Sequence, residues 1–302
     1  MSALAFTVLA IALTGPVPGL LARSDWPMRA PRAAIVLWQS IAAAAVLSAF
    51  SAGLAIASGL FARHPGSPAA EIGALGWPLW LCSVMVFALT LLIGVRLVAS
   101  SVIVAAETRR RRAHHRMVVD LLGDHRQGSG VRVIDVAEPL AYCLPGIRSR
   151  VVLSKGTLSA LSHSEVQAIL RHERAHLRAR HDLVLESFIA VHTAFPRFVR
   201  SGSALRAVRL LVELLADDAA VRAVGPAPVA RALVACAAAR TPAGAMAAGG
   251  ATTVIRVRRL AGRPNSMLLS LGAYLAALVV LVGPTVAVAV PWLAELNRIF
   301  RP

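Results

Sequence analysis

Hydrophobic positions in this chain come in runs too long for a soluble core. Four stretches, roughly 2–22, 33–62, 77–105 and 266–293, carry few or no charges over the length of about 20 residues that a helix needs to cross a bilayer core. Gly15, Pro16, Pro18 and Gly19 interrupt the first. It has neither a basic segment before the apolar run nor an A-x-A-like cleavage site after it, so it reads as a retained span and not as a signal peptide. The pattern divides the chain into 1–106 with three spans, 107–265 without a span, and 266–302 with the fourth span and a short tail.

The middle segment follows other periods. "VRVIDVAE" (131–138) and "SRVVLSKG" (149–156) concentrate β-branched residues before Pro139 and Gly156 and predict two short strands, with "AYCLPGIRS" as their connection. Ser162 and Glu165 have capping-box spacing, and Val166, Ile169, Leu170 and Leu177 then recur at helical intervals. Further helices are predicted from about Leu183 to Ala194, Ala204 to Val224 and over 227–239, with the Gly/Ala-rich 241–253 as a loop.

Composition fits the apolar runs: 57% of residues are hydrophobic and mean hydropathy is +0.67. Charge gives the spans a direction, because short cytoplasmic loops retain arginine and lysine. Arg23, Arg29 and Arg32 follow span one and Arg109 to Arg112 and Arg116 follow span three, whereas the loop after span two has only Arg63 and His64 against Glu71. The expected topology is N-terminus outside, with the loop after span one and all of 107–265 in the cytoplasm. That segment has 25 basic and 12 acidic residues, a balance of +13, and should lie against anionic membrane lipids. No helix-turn-helix, zinc-finger or RNA-recognition pattern accompanies the charge, so no direct nucleic-acid binding is expected. Arg96, near the end of span three, is expected to reach the headgroups. Cys82, Cys143 and Cys236 form no C-x-x-C pair and are read as isolated thiols.

The chemistry concentrates in "LRHERAHLRARHD" (170–182), where His172, Glu173 and His176 spell H-E-x-x-H. Four residues apart on a helix, the two imidazoles project from one face and can bind one Zn²⁺. Glu173 is placed as a base rather than a ligand. A catalytic zinc takes a third protein ligand, for which the downstream candidates are His181, Asp182, Glu186, His192, Glu213, Asp217 and Asp218. If the helix continues, His181 lies about 140° round from His176 and reads as a surface histidine. In "VELLADDAA" the E-x-x-x-D spacing lets Glu213 ligate while Asp217, one turn on, bonds the outer nitrogen of a liganding histidine. For the oxyanion, His192 and a nearby arginine are the candidates.

The order "SRVVLSKGTLSALSHSEVQAILRHERAHLRARHDL", then "VELLADDAAV", resembles the gluzincin peptidases, and three spans before the domain with one after resembles the BlaR/MecR antirepressor family. The resemblance implies a mainly α membrane protein of the bacterial plasma membrane. Four transmembrane helices would carry a cytoplasmic α+β gluzincin-like zinc peptidase domain between the third and fourth. It implies His172, His176 and Glu213 as zinc ligands, Glu173 as the base, and Val151, Val152 and Leu153 as an edge strand to which substrate adds. The family's beta-lactam sensors carry a penicillin-binding domain after the last span, whereas this sequence stops at Pro302, so the sensor role is not carried over. The function expected is zinc-dependent endoproteolysis, with a cytosolic repressor-like protein as substrate. A membrane quality-control or CAAX-type zinc protease is the alternative within enzymes, and a non-enzymatic signal transducer the alternative outside them.

Overall fold

The computed structural model describes residues 2–61, 76–126, 130–146, 149–195, 202–239, 248–262 and 265–300. Four helical stretches are long and apolar enough to cross a membrane: Leu4–Arg23, Pro31–Gly53, Trp77–Leu121 and Met267–Val286. The first is broken at Gly15 into α1 (Ser2–Thr14) and α2 (Pro16–Arg23), because the prolines at positions 16 and 18 supply no amide to continue the ladder. The second is α3 (Pro31–Phe61), the third α4 (Trp77–Leu122) and the fourth α11 (Met267–Phe300). Arg63, His64 and Glu71, used above to orient the spans, lie outside the described residues.

At 46 residues α4 is about 69 Å long, more than twice a bilayer core. Its charged C-terminal part becomes one layer of the middle segment. Against it packs a four-stranded sheet of β1 (Asp124–Arg126), β2 (Val131–Ile134), β3 (Ala141–Leu144) and β4 (Arg150–Ser154), in the order β1-β2-β4-β3. Even positions of the last two strands face α4, where Val152, Tyr142 and Leu144 meet Val119. Odd positions face the other way, where Val151, Leu153 and Ala141 meet Leu161 and Ile169. Arg112 links α4 to Asp182 at 3.0 Å, so one arginine of the basic run is a structural ion pair and not only a topological signal.

Two sequence expectations change here. "AYCLPGIRS" is not merely a connection, because its first four residues form β3, paired antiparallel with β4. Consequently Val151, Val152 and Leu153 are not an edge: β4 pairs with β2 on one side and β3 on the other, and Val152 is fully buried. The edge beside the helices is β3. A four-residue strand containing Ala and Cys and ending at Pro145 carries too little periodicity to be seen in sequence.

The remaining helices are α5 (Lys155–Ala160), α6 (His163–Arg178), α7 (His181–Ala194), α8 (Gly202–Val224), α9 (Pro226–Ala239) and α10 (Ala248–Leu260). The capping box of α6 is formed, with the Ser162 amide donating to Glu165 at 2.9 Å. Helix α10 replaces the second half of the expected loop at 241–253; residues 241–247 lie outside the described residues. Arg96 donates from Nε to the carbonyl of Ala194 at 3.2 Å, at the C-terminal end of α7.

The candidate span helices and the middle segment share a core. Val208, Leu211, Val212 and Leu214 of α8 and Phe188 of α7 are buried with Leu13, Leu21, Trp38, Ile41 and Ala277 of the span helices. Arg259 of α10 donates to the carbonyl of Met28, and the Ser266 amide to that of Arg29 at 2.9 Å. The short connection after the first span, α10 and the beginning of the last span therefore lie at one end of the helical bundle.

Candidate metal centre

Helix α6 turns its apolar face, including Ile169 and Leu170, onto the sheet. His172, Glu173 and His176, three, four and seven residues after Ile169, continue the adjoining stripe of the helix, and Ile169, His172 and Glu173 line one cleft with Glu213 of α8. Helix α8 crosses it with buried Ala220 packed on Ala168, small residues that let the backbones approach. This crossing sets Glu213 opposite the two histidines.

His172 Nε2 lies 3.1 Å from His176 Nε2 and 3.5 Å from one Glu213 oxygen, and His176 Nε2 lies 3.6 Å from the other. Ligands held tetrahedrally at the bond lengths usual for zinc stand about 3.3 Å from one another. Among the described residues these three form the cluster whose donor atoms all fall within such reach. The donor set, two imidazole nitrogens and a carboxylate with one side open to a cleft, fits a catalytic zinc. His172, His176 and Glu213 are thus brought together as expected.

The outer nitrogens decide whether the inner ones can ligate. Asp217 Oδ1 lies 3.0 Å from His172 Nδ1, which fixes a proton there, so that Nε2, on losing its own proton, turns a lone pair inward. His176 has a different partner: its Nδ1 lies 3.0 Å from Nδ1 of His181. With the proton on His176 Nδ1 donated to His181, His176 Nε2 also presents a lone pair. The surface position expected for His181 is incorrect, for it is buried. Helix α6 ends at Arg178, Arg180 takes a left-handed φ of 51°, and a new helix starts at His181. The 140° projection assumed one continuous helix.

Arg256 was not identifiable from the pattern, because its helix is called by no cap or period upstream. Its guanidinium donates to both oxygens of Asp217, at 2.8 and 2.7 Å, and lies 2.9 Å from Glu213. Burial opposes ionisation of Asp217 and Glu213. Hydrogen bonds from Arg256 and His172 to Asp217, and from His172 to Glu213 with Arg256 nearby, outweigh it and hold each carboxyl at about 2. Burial likewise opposes the charged form of His172, but Asp217 and Glu213 raise it to about 9. Burial and the neighbouring His172 lower His176 to about 4. The two carboxylates make this point of the structure favourable for positive charge.

Glu173 lines the same cleft, which has a volume of about 110 Å³ and is walled by Ala141, Val229, Leu233 and Cys236 among others. Cys143 of the edge strand is not isolated: its thiol bonds the Glu173 carboxylate, and burial together with Glu173 pushes its pKa well up. His192 lies elsewhere, in an apolar cavity with Trp38 and Phe188, which removes it as a candidate for the oxyanion.

Residues 105–210 match the model of peptidase family M48. The stretch spans the end of α4, the sheet, α6 and α7, and includes the H-E-x-x-H; Glu213, Asp217 and Arg256 lie beyond it. The match supports a zinc metallopeptidase. It does not reach the finer antirepressor assignment suggested by the order of spans. No curated protein and no solved structure matches the chain.

Proposed function

We propose that the chain is an integral-membrane zinc endopeptidase with its active site on the cytoplasmic side, carrying out regulatory proteolysis of a cytosolic repressor-like protein. The observation that carries the peptidase reading is the convergence of His172, His176 and Glu213 beside Glu173, within or just beyond a stretch matching a peptidase family. His172, His176 and Glu213 would hold a zinc ion, which would supply polarisation of a carbonyl and a water acidic near neutral pH. Glu173 accepts the proton of the attacking water and returns it to the leaving amine. Asp217 and His181 keep the imidazoles in the ligating tautomer, and Arg256 keeps Asp217 and Glu213 ionised and in place.

Substrate would extend along β3. The Ser154 amide donates to the Leu140 carbonyl, so residues 140 and 154 form a hydrogen-bonded pair, as do 142 with 152 and 144 with 150 by alternation. The main-chain groups of Ala141 and Cys143 then point outward from the sheet, toward the cleft that holds Glu173. An extended peptide added there gains ladder bonds without side-chain selectivity.

The test is cleavage of a bait repressor by the full chain in membranes. Glu173→Gln should lower turnover by about 10²–10⁴-fold while zinc content stays near that of the wild type. Turnover unchanged by Glu173→Gln would remove Glu173 as the base, and zinc-loaded wild type that cleaves no bait would favour a non-enzymatic transducer. Ala141→Pro removes an outward amide and should impair cleavage with the fold kept. Val152→Pro, inside the sheet, should instead cost about 3 kcal/mol or more of stability, read by thermal melting.

A further inference from the structure

The largest of the described clefts lies apart from Glu173 and the cleft that it lines, and of the residues used above it shares His181, the partner of His176. With a volume of about 700 Å³, it opens on the far side of α6 from Glu173, where the first turn of α3 and the beginning of α11 meet α6 and α8. Arg32 of α3, Arg178 of α6 and Arg222 of α8 line it, and all three are exposed. None of the three makes an ion pair or side-chain hydrogen bond among the described residues. Asp218, the carboxylate in the wall, is already neutralised by both Nη atoms of Arg259, at 2.6 and 3.0 Å. The cleft is thus a net cationic site with three available guanidinium groups from three separate elements. The first turn of the 31-residue α3, whose initial amides have no intrahelical acceptor, adds partial positive charge at the same place.

Part of its lining is apolar. Ile35 and Val36, one turn into α3, line it together with Val184 of α7 and Leu215 of α8, and the four belong to one apolar cluster. Two of the candidate spans, Pro31–Gly53 and Met267–Val286, begin at this cleft. Basic groups at the mouth and aliphatic groups one helical turn deeper follow the polarity of a phospholipid standing beside a span. A soluble phosphate would use only the first half of that gradient.

We propose that Arg32, Arg178 and Arg222 form a binding site for the phosphate of an anionic membrane lipid, whose glycerol and first acyl carbons lie against Ile35, Val36, Val184 and Leu215. Guanidinium groups bind phosphate oxygens through paired N–H donors, which a diffuse positive surface does not provide. A lipid held there would join the first turn of α3 to the ends of the two helices that carry His176 and Glu213. The proposal rests on the four helices crossing a membrane and is independent of the metal and of proteolysis.

The experiment uses the full chain, purified in a neutral detergent and titrated with phosphatidylglycerol, phosphatidylcholine or inorganic phosphate while bound lipid is counted by native mass spectrometry and the melting temperature is recorded. Phosphatidylglycerol should bind with defined stoichiometry and raise the melting temperature; phosphatidylcholine should do neither, and inorganic phosphate should compete only weakly. The triple variant Arg32→Gln, Arg178→Gln, Arg222→Gln should weaken binding at least about tenfold, and the matching lysine variant should restore part of it. A control triple, Arg109→Gln, Arg110→Gln, Arg171→Gln, removes the same charge from elsewhere on the surface and should leave binding as in the wild type. Equal loss in both triples would reduce the effect to net charge and overturn the site. Inorganic phosphate binding as well as the lipid would overturn the lipid assignment. Melting temperatures in neutral detergent alone separate misfolding of a variant from loss of the ligand, and incorporation of the wild type into phosphatidylcholine vesicles tests the spans separately from the arginines.

Discussion

Asp217 and Asp218 are neighbours on α8, yet they belong to different regions of the molecule. Asp217 faces the metal centre, where it bonds His172 and receives two bonds from Arg256. Asp218, rotated by about 100°, faces the junction with the spans. There it accepts from Arg259 and Asn265, while Arg259 also reaches the carbonyl of Met28. Arg256 and Arg259 are themselves one turn apart on α10 and read the two aspartates in parallel. The same kind of ion pair therefore serves ligand positioning in one region and attachment of the helices to the span ends in the other. Sequence proximity and chemical identity do not tell these roles apart; the rotation of one helix does.

The sharpest way to break this comparison is to remove the two arginines in turn. Arg256→Met leaves nearly buried Asp217 without its cation and should cost about 3–5 kcal/mol of stability together with most of the bound metal. Arg259→Met should also destabilise, but the dissociation constant for zinc should stay within a factor of about two of the wild type, because the site is contacted by neither Arg259 nor Asp218. Loss of zinc from both variants, measured by metal analysis after dialysis, would merge the two regions into one.

Exchange of the aspartates is a milder form of the same test. Asp217→Asn should weaken zinc binding by about 10–100-fold, since the amide can turn its NH₂ toward His172 and disturb the tautomer. Asp218→Asn should leave zinc affinity unchanged and lower the melting temperature. Equal effects on zinc affinity would show that Asp217 is not the residue that orients His172.

The effect that needs no substitution is a dependence of metal affinity on pH. His172 is raised to about 9 in the metal-free protein and must lose its proton to ligate, whereas His176, at about 4, and Glu213, at about 2, are already deprotonated at neutral pH. Zinc affinity should therefore rise about tenfold per pH unit between 6 and 9 and level off above. Calorimetry on chelator-treated protein in buffers of different ionisation enthalpy should find about one proton released at pH 7. The linkage has a consequence for folding: a raised histidine stabilises the metal-free fold below its ordinary value and that contribution is lost as pH rises through about 9. A metal affinity flat across this range would mean that Asp217 and Glu213 do not charge His172.

Much of the site could be read from residue types and spacing. His172 and His176 are fixed on one helix face by a four-residue interval, and Ser162 with Glu165 marks where that helix begins, because both are local geometry. The four apolar runs are legible for the same reason, since length and composition alone decide whether a helix can cross a bilayer. What was not legible depended on a change of direction or on a distant partner. One left-handed residue, Arg180, turned His181 from an outward position into a hydrogen-bond partner of His176. Strand β3 acquires its pairing from β4 and has no pattern of its own, so Val151 to Leu153, which the family resemblance implied as an edge, are in the middle.

The sequence by itself determined the long apolar helices, the capped helix with two metal-competent histidines and an adjacent glutamate, and a carboxylate-bearing helix downstream. Each is set within a few turns of chain, where backbone geometry leaves one arrangement. The tertiary structure alone decided which strand forms the edge, which of the two histidines Asp217 meets, and that Arg256, 39 residues beyond Asp217, holds both acidic groups of the centre. Those choices follow from helix crossings and strand order. They depend on which buried surfaces fit together across the whole chain, and no local interval encodes that.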